Sequence, residues 1–177
     1  MKQQGTILFT FMGILLLALS GCKSENDVPD RIIPYILEWE IPSGLNSIET
    51  HFFEFSNVRT QVDEFFPDEN FTVEDIEILR PRQATLTLRD PSITFNDIRS
   101  VEVHMRQKQE PFTEYEVFYT LNLQQRDKQE IRLLPTLTNV KSLFVGDRME
   151  VTVRINFYRI SARATPVLLE MELEAFR

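Results

Sequence analysis

Met149-Glu150-Val151-Thr152-Val153-Arg154-Ile155-Asn156-Phe157 alternates apolar and polar residues without a break. Successive side chains of an extended chain point to opposite faces. Met149, Val151, Val153, Ile155 and Phe157 therefore share an apolar face, opposite Glu150, Thr152, Arg154 and Asn156. Further on, Val167, Leu169, Met171, Leu173 and Ala175 repeat the pattern against Glu170, Glu172 and Glu174. On a helix such a series would scatter around the whole circumference; on strands it builds one dry and one wet face, as antiparallel sheets require. As hairpin neighbours joined around Ser161–Thr165, the two runs would set Arg154 opposite Glu170 or Glu172, a cross-strand charge pair that fixes register.

The same period runs through the preceding chain. Ile33, Tyr35, Leu37, Trp39 and Ile41 alternate with Glu38 and Glu40. Ala84, Leu86 and Leu88 alternate with Thr85, Thr87 and Arg89, and Val101, Val103 and Met105 with Glu102, His104 and Arg106. Tyr115, Val117, Tyr119, Leu121 and Leu123 make another apolar line, and Ile131 and Leu133 a shorter one. Between Ser47 and Arg59 the consecutive Phe52 and Phe53 break the alternation, so that strand is buried on both faces or carries a bulge. Thr72–Ile76, Phe95–Ile98 and Thr138–Phe144 have helical or turn character, with Thr72 and Thr138 as N-cap candidates.

The pattern predicts an all-β fold, an antiparallel two-sheet sandwich of about eight strands with short helical corner segments. An eight-stranded barrel is the alternative, and the corner segments suit a sandwich better. Residues 31–177 read as a single β-sandwich domain, with neither an internal repeat nor a second domain. After residue 21 the glycines are Gly44 and Gly146, so no glycine-rich phosphate cradle can form.

Residues suited to catalysis are scarce. The histidines are His51 and His104; His104 alternates onto a polar face and reads as a solvated outer-strand residue, and His51 reads as packed or superficial. The sequence suggests no nucleophile–base arrangement and no zinc-hydrolase motif. The acidic stretch Asp63, Glu64, Asp68, Glu69, Glu74, Asp75 and Glu77 is the best candidate for a cation, calcium by its carboxylates. It lacks the spacing of a calcium loop, and Phe65, Phe66, Phe71 and Val73 interleave it as in an aromatic-anchored connection. Glu38, Glu40 and Glu170 to Glu174 offer carboxylates of the kind glycoside hydrolysis uses, in an alternation that serves solubility. Arg80, Arg82, Arg89 and Arg99 could form an anion patch. The expectation is a protein that is not an enzyme, with no cofactor and no metal. A net charge of −8 excludes nucleic acid as a partner class.

At the amino end Lys2 precedes an apolar run from Thr6 to Leu19. Its length, roughly 21 Å as a helix, falls short of the ~30 Å hydrocarbon core, which favours an export signal over a membrane span. The run closes on Leu19-Ser20-Gly21-Cys22, and Cys22 is the chain's single cysteine. This resembles the lipobox of bacterial lipoproteins. The resemblance implies a signal peptide over residues 1–21, cleavage before Cys22, and lipidation of Cys22 by diacylglycerol and an acyl chain of the palmitate class. Such a protein holds the membrane through its acyl chains, since two or more anchor stably. Residues 22–30 then form the lipidated cysteine and a flexible tether, and Lys23, Glu25 and Asp27 are similar to the signal behind the cysteine of Bacteroidota surface lipoproteins. The address implied is the outer membrane, on either its periplasmic or its surface face. The function expected is a non-catalytic binding or assembly module of the cell envelope, with an envelope protein or a glycan as partner. The alternative is a carrier of a lipid or other apolar ligand.

Overall fold

The computed structural model describes residues 28–66, 72–92, 94–110, 112–121 and 128–177. Residues 1–21 and Cys22 lie outside the described residues, as do Asp68, Glu69, Phe71 and Leu123.

Among the described residues eight antiparallel strands carry the fold: β1 Arg31–Ile41, β2 His51–Arg59, β3 Ile78–Leu88, β4 Ile98–Gln107, β5 Glu114–Leu121, β6 Glu130–Pro135, β7 Arg148–Phe157 and β8 Thr165–Phe176. Their pairing is nested. β1 pairs with β8, β2 with β7, β3 with β6 and β4 with β5, as in one long hairpin. Rolling that hairpin up brings β8 against β3 and β7 against β4. Two four-stranded faces result, β1-β8-β3-β6 and β5-β4-β7-β2. This is jelly-roll connectivity. The faces join in a continuous curled sheet through a short β5·β6 seam, where Phe118 faces Pro135 and Tyr119 faces Leu134.

On the other side the edge strands β1 and β2 meet through side chains. The Trp39 ring lies 5.9 Å from Phe53 and 5.6 Å from Phe55, and the Tyr35 hydroxyl donates to the Thr60 carbonyl oxygen at 2.9 Å. The curl therefore stays open as a sandwich, short of a closed barrel. Each edge is also blunted: Pro34 removes an N–H from β1, and a bulge between Phe55 and Val58 bends β2. The bulge belongs to the strand whose alternation the paired phenylalanines break. Phe53 packs inward and Phe52 projects outward.

The inward positions of both faces are filled. Ile33, Leu86, Val101, Val103, Met105, Val151, Val153, Leu169 and Leu173 are fully or almost fully buried in a single core. The periodic apolar lines of β1, β3, β4, β6, β7 and β8 all point there. β5 departs from its line. Val117 and Phe118 are both buried, because a bulge between the pairs Val103↔Phe118 and His104↔Glu116 gives β5 one extra residue. Beyond it the facing inverts, and Tyr119 joins the outer face opposite Glu102.

The expected β7–β8 hairpin is overturned. β7 and β8 lie in opposite faces, and Arg154 donates to Glu114 at 2.6 Å instead of meeting Glu170 or Glu172. Glu172 pairs with Arg82, and Glu174 with Arg80. The reason sits in the connection. Ser161 bonds into the β1–β2 turn through its hydroxyl, which donates to Pro42 O and accepts from the Leu45 N–H, and through backbone exchange with Gly44 and Leu45. That pinning carries the chain across the sandwich. The turn itself uses Gly44 at φ +87°, a left-handed conformation that glycine adopts freely.

Short helical turns occupy the corners, at Val62–Phe65, Val73–Asp75, Phe95–Asp97 and Lys141–Val145. Thr72 caps the second in a reciprocal box with Asp75. Thr138 does not cap the last; Asn139 does the local bonding, its Oδ1 accepting from the N–H groups of Leu79 and Lys141.

Candidate functional site

The outer face of β5-β4-β7-β2 carries a group of charged side chains built by register. Along β4 the alternation sends Glu102, His104 and Arg106 outward. β7 sets Arg154 beside Glu102, and Thr152 beside His104. β5 sets Glu116 opposite His104 and Glu114 opposite Arg106. The β5 bulge decides that pairing: without the extra residue, continuation of the Val103↔Phe118 register would bring Val117 against His104.

His104 is only 8% exposed. The expectation of a solvated residue fails here, because neighbouring strands crowd the ring even though it lies on the polar face. Its Nε2 is 3.4 Å from Glu102 Oε2 and its Nδ1 3.5 Å from Glu114 Oε1. Both separations exceed the 2.7–3.2 Å or so of good N–H···O bonds. Glu114 is fixed from the other side by Arg154, whose guanidinium lies 5.6 Å from the Phe52 ring centroid. Phe52 beside it is 57% exposed. Arg154 Nε is buried without a hydrogen-bond partner among the described residues. Ligand atoms of Glu102, His104 and Glu116 lie within 4.8 Å of one another.

Several other residues singled out in the sequence are already engaged. His51, half-buried, has Nε2 2.8 Å from the Asn46 carbonyl oxygen and its ring against Phe157. Arg80, Arg82 and Arg89 are paired with Glu174, Glu172 and Glu38, so these three arginines form no free anion patch. In the acidic stretch Glu74 and Asp75 serve the local turn. Hydrogen bonding by the Thr72 side chain holds Glu74 below the usual carboxylate range, and the Thr72 backbone N–H and hydroxyl do the same for Asp75. Lys141 reaches across to the carbonyl oxygens of Glu74 and Ile76. No convergent set of ligands from this stretch appears among the described residues.

A cleft also opens at one end of the sandwich, between the Val62–Phe65 and Lys141–Val145 turns. Phe66, Val73, Tyr115, Phe144 and Val145 line it, with Tyr115 and Ser142 sharing a hydroxyl–hydroxyl bond of 2.8 Å.

The alternation along β4 alone puts Glu102, His104 and Arg106 on one polar face. Glu114, Glu116, Arg154 and Phe52 join them through strand order and a bulge, for which no local residue pattern stands as a signal. The chain matches no protein-family model and no curated protein.

Proposed function

We propose that the chain is a lipid-anchored protein of the bacterial outer membrane whose β-sandwich acts as a non-catalytic binding or assembly module. In this reading Cys22 carries the lipid and residues 22–30 tether the domain. The observation that carries it is where the tether enters. The Asp30 N–H bonds to Ala175 O and Arg31 opens β1, an outer strand of the β1-β8-β3-β6 face. An anchor there leaves the opposite face, with Phe52 and its charged neighbours, free for an envelope protein or a glycan. No helix among the described residues is long and apolar enough to cross a membrane, so in this reading attachment rests on Cys22. Core side chains fill the space between the faces, which favours binding on an outer face over carriage of an apolar ligand between the sheets.

Cell fractionation of the full chain beside its Cys22→Ser variant tests the anchor. The unaltered chain should sediment with the outer membrane, and the variant should lose that association. A variant that stays in the outer-membrane fraction would refute lipid anchoring. Protease treatment of intact cells then reports the face: digestion places the domain at the surface, and protection until the outer membrane is opened places it in the periplasm.

A further inference from the structure

We propose that Glu102, His104 and Glu116 bind a divalent transition-metal ion of the zinc class on the outer face of β5-β4-β7-β2. This goes beyond the anchoring reading and stands without it.

Three observations converge. First, the separations fit an ion better than they fit hydrogen bonds. A tetrahedral ion with bonds of about 2.1 Å holds its ligands about 3.4 Å apart. His104 Nε2 and Glu102 Oε2 are 3.4 Å apart, and the donors of all three residues lie within 4.8 Å of one another. Glu116, an exposed residue paired with His104 across the β4–β5 ladder, completes the set.

Second, His104 is oriented as a metal-bound imidazole is. A ligating histidine commonly directs its other ring nitrogen to a carboxylate, which fixes ring and tautomer. Here Nδ1 faces Glu114 at 3.5 Å, and Glu114 is itself held by Arg154 at 2.6 Å. The ring is nine-tenths buried and, among the described residues, has no side-chain partner closer than 3.4 Å, so it is positioned without being well bonded.

Third, the charges suit a dication. Glu102 and Glu116 bring two negative charges to one imidazole, and the nearby cation Arg154 is engaged with Glu114. One nitrogen and two carboxylates suit the zinc class; calcium takes six to eight oxygens and disfavours imidazole. Three protein ligands leave a fourth position for water or for a donor from a partner.

The test is a Co²⁺ titration followed by displacement with Zn²⁺. It uses the full chain in detergent carrying Cys22→Ser, which removes the single thiol as a rival ligand. The expected result is a saturable visible d–d band at one equivalent of Co²⁺, abolished by Zn²⁺. Glu116→Gln, at an exposed position, should weaken Co²⁺ binding at least tenfold with unchanged far-ultraviolet circular dichroism. Glu114→Gln should weaken it by about ten- to a hundredfold through loss of the orienting carboxylate. Absence of a saturable band, or a band indifferent to Glu116→Gln, overturns the site. His104→Gln is the stronger deletion but touches a buried ring, so the exposed glutamate is the deciding substitution.

Discussion

The Tyr35 hydroxyl is buried on the open side of the sandwich, and burial pushes its ionisation well above the ordinary tyrosine range. It therefore stays a neutral donor to Thr60 O, bridging β1 to the residue that follows β2. Tyr35→Phe leaves that carbonyl without this donor in a dry environment, and should lower stability by about 1–2 kcal/mol in a urea titration. No sequence pattern announces such a contact between residues so far apart; the alternation showed only that Tyr35 points inward. Val117 makes the same point for the candidate site. Its place in the apolar line of β5 was legible, yet the extra residue there turns Glu116 toward His104 and Tyr119 outward. A bulge stabilised by packing on both flanks leaves no local mark of glycine or proline. Glu102 and His104 could thus be read as neighbours on a polar face, whereas their partners from β5 and β7 could not.

Among the elements, those with strict period-2 alternation were legible to within a few residues, because one-sided burial forces that period on the sequence. β7 and β8 show this most plainly. β2 was legible as an anomaly. Its consecutive phenylalanines occupy opposite faces, and their substitution should separate accordingly. Phe53→Ala removes a ring packed on Trp39 and should cost about 2–3 kcal/mol, somewhat less than a fully buried aromatic. Phe52→Ala gives up an exposed ring beside Arg154 and should cost under about 1 kcal/mol. Equal losses in chemical denaturation would contradict this facing. The corners were legible in part: Thr72 caps its turn as its residue type suggests, while Thr138 yields to Asn139, whose amide reaches backbone groups on two segments.

Across the whole molecule, fold class followed from the alternation but strand order did not. Nested pairing joins strands from opposite ends of the chain, and nothing in an individual strand encodes its distant neighbour. A local hairpin between β7 and β8 was therefore the natural expectation; Ser161 and the turn it bonds carry the chain elsewhere. One consequence is that β8, late in the sequence, lies inside its sheet between β1 and β3. Ending the chain at Arg163 should abolish cooperative thermal unfolding, read by circular dichroism, because β1 then loses the strand it pairs with. The narrow β5·β6 seam has a mechanical meaning as well. Tension applied between β1 and the outer side of β4 and β7 meets few interstrand bonds at that seam, where Pro135 contributes no N–H. The load passes instead through interlocked side chains, loaded in shear from plate to plate. Resistance to stretching would then follow the tightness of core packing more closely than the length of the seam.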